Sequence, residues 1–374
     1  MVKNMNGGHY FNSVAKEQVL AVLEKNGMLP PDKTYERVVK NKIALGQKLW
    51  DTVIGDAIGQ ELREFCETSI KERGRFYHIE HIPRYAAFGH DIADCFCRLF
   101  GVSENTASDI AAAGALLNSY AALFDKICDD YTELRPHLMR RCSPEILSRA
   151  ASLTLSDTKP FFRLKENDAP LVKIVVLLIR EYFNRCAAIL DCSGGDKIRA
   201  EFQNTVSLLY KSELTSINLT FAARMSGKSV YKILRNKSSL LIWLLVLPCL
   251  SPPARKCGGK LSRLKEAVLD LGDVFWILDD IVDSSEDLSC VRWGYPTLQF
   301  TGRVFLENRD CASILDDMLN RGIISSAAEN MCIKYRNAKR ELEKMTHNIV
   351  DFDKIFLPWF RMWIDSTGCA YFRE

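Results

Sequence analysis

The sequence predicts an all-α fold, an antiparallel helical bundle, on three observations. Apolar residues recur at helical spacing along nearly the whole chain, and no convincing run alternates apolar and polar as a half-buried strand does. Two stretches, Ile110–Phe124 and Leu171–Ile179, are apolar almost all round, so they belong inside a bundle. The interruptions carry ordinary loop chemistry: Pro30-Pro31, Cys192-Ser193-Gly194-Gly195, Pro252-Pro253 and Cys257-Gly258-Gly259.

Taken in order, the chain opens on a polar, Gly-rich stretch, and residues 1–12 are expected to be a disordered tail. Helices are expected at 14–26, 33–73 and 84–100. The next, at 105–131, starts after Ser103 as N-cap, and one at 143–153 starts after Ser143 with Pro144 in its first position. Further helices fall at 169–191, 197–225, 228–248 and 260–287, then at 309–321, 323–349 and 353–365. No internal repeat, low-complexity tract or linker divides the chain, so 1–374 reads as one helical domain.

Bulk composition narrows the function. With 47% hydrophobic and 26% charged residues the chain buries a large core. Fifty basic against 47 acidic side chains leave a net charge of +3, and no basic block tracks nucleic acid. The 13 cysteines are scattered, with only Cys95 and Cys97 close together, and no apolar secretory core opens the chain. They read as reduced thiols of a soluble, cytoplasmic protein. The longest apolar run, Leu240–Leu250, is far shorter than the ~20 residues of a membrane span, so no transmembrane segment is expected.

Two acidic clusters carry the chemistry. The first, Phe124-Asp125-Lys126-Ile127-Cys128-Asp129-Asp130-Tyr131, puts Asp125 and Asp129 four apart on one helix face. Asn118, Ala121 and Ala122 stack above them on the same side, and Asp130 points elsewhere. A buried helix that ends in two carboxylates beneath small residues describes the acidic mouth of a cavity, lined by Asn118 and Ala121. An isolated DxxxD is more often just a solvated helix end.

The second cluster, Asp279-Asp280-Ile281-Val282-Asp283-Ser284-Ser285-Glu286-Asp287, sets Asp279, Asp283 and Asp287 in one stripe with Asp280 beside it. Trp276 falls on the same face, one turn above Asp280, where a pocket wall suits an indole better than open water does. Converging carboxylates repel, and all-oxygen clusters select hard cations such as Mg²⁺. The six His residues show no second-site spacing, and Tyr77-His78-Ile79-Glu80-His81 lacks the HExxH spacing of a zinc helix.

At these residues the sequence resembles the class I isoprenoid (terpene) synthases. Phe124–Tyr131 resembles the first motif of the squalene/phytoene synthases, and more closely that of the bacterial large terpene synthases, the tetraprenyl-β-curcumene synthase group. Ile277–Leu288 resembles the second acidic motif of that group and the FQxxDDxxD motif of chain-elongating prenyl synthases. Two features depart from the chain-elongating enzymes: the first motif here is DxxxDD, and the only GGK, Gly258-Gly259-Lys260, lies far downstream of the N-terminus.

The resemblance implies an isoprenoid synthase bundle around a central cavity. It also implies a prenyl diphosphate substrate and three Mg²⁺ ions, for which Mn²⁺ can substitute. Asp125, Asp129, Asp279 and Asp283 become the catalytic carboxylates, and Asp280 and Asp287 complete the metal set. Arg224 and Lys228, then Lys232 and Arg135, are the expected diphosphate cations. The leading expectation is a terpene synthase or cyclase that releases pyrophosphate. The alternatives are a transferase joining the prenyl cation to a second prenyl diphosphate or a small nucleophilic acceptor, and a non-catalytic isoprenoid-binding or scaffold protein.

Overall fold

The structure, a computed structural model, describes residues 5–72, 76–152, 161–191, 196–217, 219, 225–251, 261–290, 292–299, 310–346 and 350–367. Its helices are α1 (Met5–Lys25), α2 (Asp32–Leu49), α3 (Gly55–Ile58), α4 (Gln60–Lys71), α5 (Ile82–Phe100) and α6 (Glu104–Asp129). Then come α7 (Arg135–Arg141), α8 (Pro144–Ala150), α9 (Pro170–Asp191), α10 (Asp196–Ile217), α11 (Gly227–Val246) and α12 (Leu261–Val282). The last five are α13 (Ser284–Ser289), α14 (Tyr295–Gln299), α15 (Cys311–Asn320), α16 (Ile323–Met345) and α17 (Phe352–Thr367). No strand occurs among the described residues.

The apolar helices lie where their sequences require. Ile110 through Tyr120 of α6 are all buried, and in α9 every residue of 171–179 except Lys173 and Leu177 is buried. The α5–α6 crossing depends on two glycines. A Cβ on Gly89 would stand 2.1 Å from the Gly114 carbonyl oxygen, and one on Gly114 would stand 2.5 Å from the Gly89 carbonyl oxygen. Only hydrogen fits at either position, so α6 is seated at a fixed depth.

A buried ion cluster sets α12. Asp273, 0% exposed, accepts Arg235 Nε of α11 at 3.0 Å, Lys334 Nζ of α16 at 2.7 Å and Ser239 Oγ at 2.5 Å. An isolated buried carboxylate is costly, and three donors satisfy this one. The cluster ties three helices together about two turns before the second acidic motif.

Several boundaries differ from expectation. α1 already starts at Met5, inside the stretch expected to be disordered. The helix expected at 33–73 is interrupted by a π turn at Trp50–Ile54 and by Gly59, whose φ of +80° ends α3. The helix expected at 260–287 bends at Asp283, where Ser284 Oγ donates to the Asp280 carbonyl at 2.5 Å. Ser143 caps α8 as expected, accepting from the Ile146 amide. The ten described cysteines are free thiols. The stretch Gly227–Leu250 is long and apolar enough to cross a bilayer, yet 67% of its most apolar window is buried inside the fold.

Candidate active site

α6 delivers the first motif at its C-terminal end. Arg135 donates to the Cys128 carbonyl there, so this expected diphosphate ligand closes the end of the helix instead. Lys237 of α11 reaches Asp125 Oδ1 at 2.7 Å and Glu213 Oε1 of α10 at 3.4 Å. Burial pushes the Asp125 carboxyl up, but Lys237 outweighs it and holds the group below its ordinary range. Burial, followed by the charges of Asp125 and Asp129, pushes Glu213 up to about 8 against the pull of Lys237. Asp129 is raised by burial and by Asp125.

α12 and α13 deliver the second motif. Asp279 accepts the Trp363 indole N–H at 2.9 Å, and Asp280 accepts the Tyr295 amide at 2.5 Å. Asp279 and Asp283 are exposed by surface area, yet burial is the first cause raising each carboxyl. Asp280 and Asp283 are pushed well above the ordinary carboxylate range by burial and by neighbouring carboxylates. Asp287 is pushed up to about 7 by burial and then by Asp279.

One short segment links the two motifs. Arg292, five residues beyond Asp287, pairs with Asp129 of the first motif at 3.0 Å. Three residues on, the Tyr295 amide holds Asp280, and Gly294 lies so close that a Cβ there would stand 2.8 Å from Asp287 Oδ2. This short strap touches both clusters. The charge of Asp125 also raises Asp279 across the gap, and Lys126 favours the ionised form of Asp283.

A search of solved structures matches a decaprenyl diphosphate synthase from Rhodobacter capsulatus. The match covers 90% of this chain and 99% of that one, with a TM-score of 0.51 and 13% sequence identity. The fold is an isoprenoid-synthase-type helical bundle. No family model matches the sequence, and no curated protein does.

The six expected metal carboxylates belong to the two motifs that this strap links, and among the described residues the ion pairs they make are with Lys237 and Arg292 rather than with the expected cations. Lys228 and Lys232 are exposed on α11, and Arg224 lies outside the described residues. The cations at the acids are Lys237, Arg292 and Lys126, the last 3.4 Å from Asp130. Asn118 is buried at the α5–α6 crossing and donates to the Tyr85 carbonyl at 2.9 Å, while Ala121 is half-buried. Trp276 is buried edge-on between Tyr231 and Tyr295, with ring centroids 5.3 Å away on each side.

The side chains gathered here are carboxylates, the hard oxygen donors that Mg²⁺ takes. Among the described residues no group of three or more His, Cys, Asp or Glu side chains is placed so as to hold a metal ion by itself. Mg²⁺ asks for less than a cage, since it is held by one or two carboxylates and completed by waters and phosphate oxygens. Carboxyls raised by one another's charge are the groups a divalent cation relieves.

Proposed function

We propose that this chain is a magnesium-dependent class I terpene synthase that ionises a prenyl diphosphate and releases pyrophosphate. The observation that carries this reading is the Arg292–Asp129 pair, which joins acidic clusters some 150 positions apart into one mouth. Asp125 and Asp129 would hold cations on one edge, and Asp279, Asp280, Asp283 and Asp287 on the other. Bound Mg²⁺ supplies Lewis-acid stabilisation of the charge that develops on the leaving oxygens.

The chain's own residues do the rest. Lys237 and Arg292, fixed on Asp125 and Asp129, stand ready to turn to the diphosphate once the carboxylates engage cations. The Arg292 guanidinium suits two-point phosphate contact, and the Lys237 ammonium serves as a point charge. The apolar length of α6 keeps water from a cation formed at the mouth.

The transferase reading is the second one, favoured by the fold shared with a decaprenyl diphosphate synthase. The DxxxDD first motif argues for the first. The test is to incubate purified protein and Mg²⁺ with prenyl diphosphates of increasing length and follow pyrophosphate. Release without any acceptor supports the synthase. Release only with a second diphosphate or a nucleophile supports transfer, and no release under either condition overturns both.

A further inference from the structure

The C-terminal helix reaches into the acidic mouth through one side chain. Trp363 of α17 donates its indole N–H to Oδ1 of Asp279 at 2.9 Å. Its ring packs against two aromatic neighbours that touch each other, 5.6 Å from Phe88 and 5.8 Å from Phe275 by centroid, which limits its freedom to turn. The Arg84 guanidinium lies 5.7 Å from that ring, and Arg84 Nη2 donates to the Met362 carbonyl at 3.2 Å. The donor aimed at Asp279 is therefore held by ring packing, by the Arg84 guanidinium and by that cation's hydrogen bond to the neighbouring backbone.

One turn earlier, α17 makes the same kind of bond to a different carboxylate. Trp359 Nε1 donates to Asp91 Oδ2 at 3.0 Å, and the other partners of Asp91 are Lys42 and His90, not the acidic motifs. The helix thus carries a matched pair of indole–carboxylate bonds, one structural and one at the site.

We propose that Trp363 is a positioning residue for the second metal edge. By taking one oxygen of Asp279 it fixes the carboxylate's orientation, leaves the other oxygen for the cation, and couples the order of α17 to occupancy of the site. This rests on the metal-dependent reading above. Hydrogen bonds to ligating carboxylates commonly matter about 10–100-fold in metal affinity, and the geometry places Trp363 in that position.

The test uses the full chain and inorganic pyrophosphate with Mg²⁺ as the probe, titrated by calorimetry, in wild type, Trp363→Phe and Trp359→Phe. Each variant keeps an aromatic ring and loses an N–H donor. Trp363→Phe should weaken Mg²⁺-dependent pyrophosphate binding about 10–100-fold, while Trp359→Phe changes it less than about threefold even where its melting temperature falls further. Equal binding by folded Trp363→Phe and wild type overturns the proposal, as does an equal loss in both variants. In the wild type, adding Mg²⁺ and pyrophosphate should slow amide exchange across 352–367, a readout that stands even if a variant fails to fold. Unchanged exchange there overturns the coupling. Failure of wild type to bind pyrophosphate with Mg²⁺ instead brings down the metal-dependent reading, and this inference with it.

Discussion

At Asp125, burial favours the neutral carboxyl and Lys237, 2.7 Å away, reverses that preference. At Asp283, burial and the charges of Asp279 and Asp287 act together, with Lys126 the weaker opponent. The same substitution therefore has different consequences at the two residues. Asp125→Asn and Asp283→Asn should each cut turnover about 100-fold or more if both hold cations against the leaving group. Asp283→Asn should raise the melting temperature of metal-free protein, because it removes one of several like charges. Asp125→Asn should lower stability by about 1 kcal/mol, a figure discounted for the half-exposed pair with Lys237. Asp317→Asn on α15, whose 3.4 Å pair with Arg321 lies at the surface away from both motifs, is the control and should leave both turnover and stability near wild type. Thermal melts with steady-state kinetics separate these outcomes.

The same residues set a pH dependence. Asp287 moves from 3.8 up to about 7, and Glu213 from 4.5 up to about 8, both on folding. A raised carboxyl binds its proton more tightly in the folded state, so its contribution is complete below the ordinary pKa and is lost as pH rises through the folded one. Metal-free protein should accordingly lose melting temperature between about pH 5 and pH 8. Mg²⁺ should flatten that decline by neutralising the carboxylates. A melting temperature that rises over this range in chelator would contradict the assigned electrostatics.

Among the helices, α5 and α6 have the least room. Gly89→Ala and Gly114→Ala each force a Cβ to within 2.5 Å of a backbone carbonyl oxygen, which no rotamer relieves. Each should cost about 1–3 kcal/mol or more and displace the helix that carries Asp125 and Asp129. Gly227→Ala is the counterpart: nothing lies within 4 Å of its Cβ position at the start of α11, so it should be neutral or gain about 0.5 kcal/mol. Chemical denaturation of the three variants reads this contrast directly. Helices such as α6 and α9 were legible in the sequence because their apolar periodicity is nearly complete. The carboxylates were legible because they cluster. Lys237 was not, because one more basic residue in the polar half of α11 carries no motif, and the i+4 row of Arg224, Lys228 and Lys232 drew attention away from it. Lys237 is nine residues beyond Lys228, about 180° round the helix, so a face that shows Lys228 to solvent turns Lys237 inward. Arg292 and Trp363 were hidden for another reason: their contacts with Asp129 and Asp279 span 163 and 84 residues, and no local pattern reports such pairings.

Over the whole molecule, every element that touches the mouth arrives from a different part of the chain. α6 brings Asp125 and Asp129, α10 brings Glu213, α11 brings Lys237, α12 and α13 bring the second motif, and α17 brings Trp363. A site assembled from so many segments exists only when the bundle is folded, so a ligand for it binds the native state and stabilises it by mass action. Mg²⁺ with inorganic pyrophosphate at ~100 times its dissociation constant should therefore add about 2.7 kcal/mol. For a chain of 374 residues that corresponds to a rise of about 3 °C in melting temperature. Either component alone should do much less: pyrophosphate without the cation meets the carboxylates as like charge, and the cation without pyrophosphate lacks the phosphate oxygens that complete its shell. Mn²⁺ should substitute, while excess chelator should abolish the shift. The decisive control is Asp129→Asn combined with Asp279→Asn, which removes one carboxylate from each edge while preserving shape. If the double variant, still folded, shows the full shift with Mg²⁺ and pyrophosphate, then the two motifs do not act as one cation-binding mouth.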